Sequence, residues 1–131
     1  MPSEIERSTP PGTMTPIGPY SHIAKVGQFI TISATAGIDP ATGQLAAPDV
    51  GSQTLQILSA FKTMLASVGS DLDHIIHINV FLKDMRDFAA MNAAYATQFT
   101  DNRPARTAIS VVDLPKPGAL LTMNLTAITA A

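Results

Sequence analysis

The chain has 131 residues, a formal net charge of −2, 14% charged and 46% hydrophobic side chains, and neither cysteine nor tryptophan. One domain of this length buries roughly two-thirds of its unfolded surface, so a single core suffices. The composition excludes disulfides, thiolate chemistry and most structural zinc sites, and the lack of any Lys/Arg cluster interleaved with aromatic residues argues against a nucleic-acid footprint.

A typical domain carries about 25% charged residues. A small domain well below that covers its exterior most simply by burying part of it against copies of itself, so an oligomer is expected. The first residues have no apolar signal core and no run approaches a bilayer span, so the protein is expected to be cytoplasmic, with no membrane partner.

Residues 1–16 hold Pro2, Pro10, Pro11 and Pro16 among Ser, Thr and Gly, and are expected to form a flexible arm without regular structure, ahead of a single domain over 17–131. Gly18-Pro19-Tyr20 ends the arm. Ser21 to Val26 and Phe29 to Ala34 read as two strands around a turn at Gly27-Gln28, with Ile30 and Ile32 on the core side and Ser33 on the other. Asp39-Pro40-Ala41-Thr42-Gly43 is a turn, and Asp49 is placed to N-cap a helix from Val50 to about Gly69. Its apolar stripe is Leu55, Leu58, Phe61, Met64, Leu65 and Val68, widened by Ile57, with Ser52, Gln53, Gln56, Lys62 and Thr63 on the polar face.

His74 to Asp84 reads as a long, largely buried strand. His74 and His77, three residues apart on a strand, would face opposite sides, and no carboxylate pair completes a ligand set, so no metal site is expected. A second helix follows from about Met85 to Thr100 with Phe88, Met91, Ala94 or Tyr95, and Phe99 as its stripe. Asn92 is unusual there, because asparagine disfavours helix interiors unless its side chain is engaged elsewhere. Pro104 pushes Arg103 into an extended conformation and seats Arg106 at the mouth of the strand Thr107 to Val112. Arg106 then either pairs with an acidic neighbour or offers its planar fork of N–H donors to a carboxylate or phosphate ligand. After the loop Leu114 to Gly118, Ala119 to Thr129 forms a final strand. The order β-β-α-β-α-β-β makes an α+β fold, a two-layer sandwich with two helices packed on one mixed sheet.

Four short motifs stand in order along the chain: Gly18-Pro19-Tyr20, Val80-Phe81-Leu82-Lys83-Asp84, Asn92-Ala93-Ala94-Tyr95 and Pro104-Ala105-Arg106-Thr107. In order and spacing they resemble the reactive intermediate deaminase family, also called the YjgF family, from about Ile17 to Ala127. The resemblance implies a chorismate mutase-like fold with a six-stranded sheet, and homotrimers whose three pockets lie at subunit interfaces. It also implies hydrolysis of 2-imino and 2-enamino acids such as 2-aminoacrylate to 2-keto acids and ammonia. No cofactor is required, because the imine is already electrophilic. On this resemblance Arg106 clamps the substrate carboxylate, and Tyr20, Ser33, Thr107 and Asn92 line or brace the pocket. Without it, Tyr20 is an ordinary packing residue and Ser33 an ordinary hydrogen-bonded strand serine.

The chain departs from the family pattern in its last strand. Where studied members carry a glutamate that positions or activates water, this chain reads Leu121-Thr122-Met123-Asn124, which puts Thr122 at the catalytic position, or Asn124 if the extra loop residue falls differently. Neither takes up a proton at neutral pH as a carboxylate does. Ala34-Thr35-Ala36-Gly37 replaces the usual Gly-Gln segment, and Ala108 stands for a common cysteine. Three readings follow: an imine deaminase, a non-catalytic trimeric binder of small carboxylates such as 2-keto acids, and a ribonuclease, which fits poorly with a chain lacking a basic groove.

Overall fold

The computed structural model describes residues 4–131; the start of the expected flexible arm, residues 1–3, lies outside them. In chain order the elements are β1 (Glu6–Ser8), β2 (Ile23–Val26), β3 (Phe29–Ala36), β4 (Ile38–Asp39), β5 (Gln44–Leu45), α1 (Val50–Ser67), β6 (Ile75–Leu82), α2 (Phe88–Ala96), β7 (Ala105–Ser110) and β8 (Leu121–Ile128). The main sheet runs β1-β2-β3-β8-β6-β7, and β4 and β5 pair as a small separate ribbon around the Asp39 turn. All neighbours are antiparallel except β6 and β7, which are parallel and joined through α2. The α+β sandwich of two helices on one six-stranded mixed sheet is as expected.

The sheet's sixth strand comes from the arm. Glu6, Arg7 and Ser8 pair with Lys25, Ala24 and Ile23, so the described part of the arm holds a strand that its prolines did not suggest. Pro10, Pro11 and Pro16 all lie beyond that strand, where no ladder N–H is needed, and an edge strand tolerates weak pairing propensity. The arm is then pinned by Met14, itself buried, whose carbonyl oxygen meets the buried His22 Nε2 at 2.5 Å.

One face of the sheet packs on both helices. Ile23, Ile30, Ile32, Ile78, Val80, Leu82, Leu121, Met123 and Leu125 meet Ile57, Leu58, Phe61, Met64, Leu65 and Met91 in one core. Asp49 caps α1 by accepting from the Ser52 N–H at 2.7 Å, and that amide holds the carboxyl below its usual range. The stripe of α1 departs from expectation at two places. Leu55 is 42% exposed, whereas Gln53 and Thr54 are fully buried. Gln53 goes inside because its amide ties two loops to α1: Nε2 donates to Ala47 O at 2.8 Å and reaches Gly118 O at 3.4 Å, while Oε1 accepts from Leu120 N at 2.8 Å. A buried amide with partners on both ends incurs little desolvation penalty.

The remaining differences lie at element ends. His74 closes a 3₁₀ turn over Leu72–His74 rather than opening the strand, and its Nδ1 lies 2.6 Å from the Asp71 carboxylate. The second helix starts with a 3₁₀ turn, Met85–Asp87, in which Asp84 accepts from the Arg86 N–H. It ends at Ala96, where the Thr97 hydroxyl bonds back to Ala94 O at 2.6 Å and offers the backbone an alternative to another helical turn.

The other face of the sheet is uncovered by any helix. In β3, β6, β7 and β8 its side chains alternate with the core set: Phe29, Thr31 and Ser33; His77, Asn79 and Phe81; Thr107 and Ile109; Thr122, Asn124 and Thr126. None of them is Lys, Arg, Asp or Glu. Register sets a row of polar residues straight across it, from Asn124 to Asn79 to Thr107, with Asn79 donating to Asn124 at 2.9 Å and the His77 ring bonded to the Thr107 hydroxyl at 3.1 Å.

Candidate functional site

Arg106 lies opposite Ile78 in the parallel β6–β7 ladder, so its side chain rises on the helix side of the edge strand, over α2. There it finds no acidic neighbour: among the described residues no carboxylate lies within 4.0 Å of it. Its guanidinium carbon stands 4.8 Å from the Tyr95 ring centroid and 5.6 Å from that of Phe88, with Nη1 3.9 Å from the Met91 sulfur. Phe88, Met91 and Tyr95 come from successive turns of α2, and together they cradle the guanidinium through cation–π and thioether contacts. Such a cradle holds the charge in place without neutralising it, so its N–H donors stay free for a ligand.

The cradle opens into a cavity of about 290 Å³ lined by Asn92, Tyr95, Ala96, Arg103, Pro104 and Arg106. Two polar atoms of its lining residues, Asn92 Oδ1 and Tyr95 Oη, are buried without a hydrogen-bond partner. An unpaired buried polar atom costs about 1–3 kcal/mol, a cost that native proteins accept mainly where strain, catalysis or a bound water or ion accounts for it. Burial pushes the Tyr95 phenol up to about 12 against the opposing pull of the Arg106 charge, which keeps it a neutral hydroxyl at any physiological pH. The sequence placed Tyr95 in one of the four motifs and, as an alternative to Ala94, on the helix stripe, without a role at the site. Its signal was the spacing Asn92-x-x-Tyr95, which brings both side chains to one helix face.

Of the expected site residues the chain brings only Asn92 to Arg106. Ser33 stands in β3, three strand spacings from β7, roughly 14 Å at about 4.8 Å per spacing, and on the opposite face. A β-bulge between Ile32 and Thr35 sets Ser33 and Ala34 against β8 near Asn124. The Ser33 hydroxyl is buried and unpaired, and its N–H donates to His22 O at 2.9 Å. Tyr20 is 41% exposed just before β2, its ring edge-on to His22 at 6.0 Å. Thr107 and Thr122 lie on the uncovered face, Thr122 buried between its register partners Ala36 and Phe81. Asn124, two residues on, faces a hollow of about 450 Å³ shared with Thr31, His77, Asn79 and Thr126.

Residues 12–129 match the family model described as Endoribonuclease L-PSP. The chain belongs to the reactive intermediate deaminase (YjgF) family. A RutC family protein of Pyrococcus horikoshii is 46% identical over 77% of the chain and 80% of its own length. The mouse 2-iminobutanoate/2-iminopropanoate deaminase is 38% identical over 76% and 74%. The crystal structure of the YjgF gene product of E. coli superposes with a TM-score of 0.87 at 31% identity, covering 94% of the chain and 98% of that protein. The YjgF-family fold thus accounts for nearly the whole chain.

Removing the Tyr95 ring is expected to weaken small-carboxylate binding about 2- to 30-fold, the range of a cation–π contact of about 0.5–2 kcal/mol. Tyr95→Leu should show this loss in calorimetric titration with a 2-oxo acid, and Tyr95→Phe should restore most of the affinity. Equal losses in both variants would assign the effect to the hydroxyl instead of the ring.

Proposed function

We propose that this protein hydrolyses 2-imino and 2-enamino acids to 2-oxo acids and ammonia at a pocket built around Arg106. The observation that carries the reading is an arginine held on an aromatic cradle in a small cavity with no protein carboxylate to pair with. A planar guanidinium binds a carboxylate through two parallel N–H···O bonds. That fixes the adjacent C2 for attack by water, and positioning of this kind supplies much of the acceleration for a reaction whose substrate is already electrophilic. An enamine first gains a proton at C3 and gives one up from nitrogen to become the imine; the water oxygen then bonds to C2, its two protons pass to the nitrogen, the C–N bond breaks, and ammonia leaves as the C=O forms. Tyr20, Ser33, Thr107 and Thr122 are the further contacts in this reading.

Those residues reach Arg106 only if a second copy supplies them, since in one chain they lie across the sheet or on its other face. The uncovered sheet face, free of charged side chains across β3, β6, β7 and β8, supports assembly of copies through it, and the proposed assembly is a homotrimer with a pocket at each interface. Relatives named as imine deaminases support the chemistry. The ribonuclease reading gains nothing from the site, because two arginines at one small cavity do not make a groove that tracks a phosphate backbone.

The test is hydrolysis of 2-iminobutanoate generated in place by a threonine dehydratase. Catalytic amounts of this protein should shorten the imine lifetime, saturably and in proportion to enzyme. A folded protein that binds 2-oxobutanoate but leaves the lifetime unchanged would be the non-catalytic carboxylate binder, consistent with Thr122 or Asn124 standing where a proton acceptor is needed.

A further inference from the structure

The cavity holds a second cation that the carboxylate clamp does not use. Arg103 lines it three residues before Arg106, its stem anchored because Nε donates to Phe99 O at 2.9 Å. That bond satisfies a free carbonyl just past the end of α2 and leaves both terminal nitrogens of Arg103 available. No carboxylate lies within 4.0 Å of Arg103 among the described residues either, and no acidic side chain lines the cavity. Pro104 between the two arginines fixes the backbone that sets their separation. Two guanidiniums sharing one cavity of about 290 Å³ without a counter-ion repel each other. A monoanion on Arg106 leaves Arg103 unmatched, whereas a molecule with a carboxylate at each end matches both.

We propose that the cavity prefers dianions, taking 2-imino and 2-oxo dicarboxylates with the C1 carboxylate on Arg106 and the distal carboxylate on Arg103. The inference rests on the proposed clamp at Arg106 and adds to it the substrate class. Arg103 is a specificity residue here, since it touches the end of the ligand remote from the reacting C2. Because Arg103 is exposed, its contribution is screened by solvent and salt more than that of Arg106.

Titration calorimetry with 2-oxobutanoate and 2-oxopentanedioate separates the two claims. Wild type should bind the diacid about tenfold more tightly at low salt, and that advantage should shrink as salt rises from about 0.05 to 0.5 M. Arg103→Ala should abolish the preference, the affinity for 2-oxopentanedioate falling about tenfold more than that for 2-oxobutanoate, and Arg103→Lys, which keeps the charge and loses the fork, should retain part of it. Affinities within about twofold of each other in wild type, or a preference that survives Arg103→Ala, would overturn the dianion reading and leave the Arg106 clamp standing. Failure of wild type to bind either acid would overturn both.

Discussion

Arg106→Ala is expected to lower the affinity for 2-oxo acids at least about 30-fold, with a thermal midpoint within about 4 °C of wild type. Truncating one partner of a hydrogen-bonded charge pair in a partly dry site costs about 2–5 kcal/mol, and the lower bound alone is a factor of about 30. The stability side follows from where the side chain sits. Arg106 is half-buried on an edge strand, and it rests on the α2 rings without entering the core. Its removal uncovers part of Phe88 and Tyr95 and leaves no buried charge orphaned, a change of about 1 kcal/mol. Arg106→Lys sharpens the test. A lysine keeps the charge but presents a point where two parallel N–H bonds are needed, so most of the loss should remain. A large fall in thermal midpoint in Arg106→Ala, or full affinity in Arg106→Lys, would make the arginine structural in the first case and a mere charge in the second.

The aromatic cradle also shows how far periodicity alone could go. Phe88, Met91 and Tyr95 fit a core-facing helical stripe, and Met91 and Tyr95 are indeed buried. Nothing in the stripe says that its edge lies under an arginine from a strand ten residues later. That fact needs the parallel β6–β7 register, which is set by α2 crossing over and not by any local signal.

The core side of β3 was legible because alternation with period 2 matches a sheet with one covered face, whereas β6, read as largely buried, in fact alternates with only one face in the core. The bulge at Ser33 was not, since an extra residue changes the phase without changing composition. The same limit hid β1. A three-residue edge strand among prolines has too little β-propensity to stand out, and it forms because β2 offers it an open edge. Gln53 and Leu55 exchanged their expected places for a related reason. The amide of Gln53 has partners near Gly118 and Ala47, one of them 65 residues away in sequence, and a helical wheel sees neither. For the site, the four motifs include Arg106 and Asn92, which line one cavity, but they could not show that Tyr20, Ser33, Thr107 and Thr122 lie elsewhere within a single chain. Motif order records which residues matter together, and it does not record whether they meet within one copy or between two.

Gly37→Ala is expected to destabilise the fold by about 3 kcal/mol or more, lowering the thermal midpoint by about 10 °C or more, without changing the affinity of the folded fraction for 2-oxo acids. Gly37 sits between β3 and β4, packed directly against the Gln53 backbone in the first turn of α1. A Cβ added there would stand 2.6 Å from Gln53 O, 2.8 Å from its Cα and 2.9 Å from its Cβ. Two of those atoms are helix backbone, so no rotamer change relieves the overlap and α1 itself must move. Moving it pulls on the three bonds of the Gln53 amide, which tie α1 to the loops before it and before β8. The effect therefore belongs at the upper end of overpacking costs. Arg106, Arg103 and Tyr95 are held by α2 and β7 at the other side of the layer, with no bond to Gln53, and so binding by the folded fraction should be spared. A midpoint within about 3 °C of wild type would mean that α1 slides freely on the sheet, and a parallel loss of affinity would mean that its position is transmitted to the Arg106 cavity through α2.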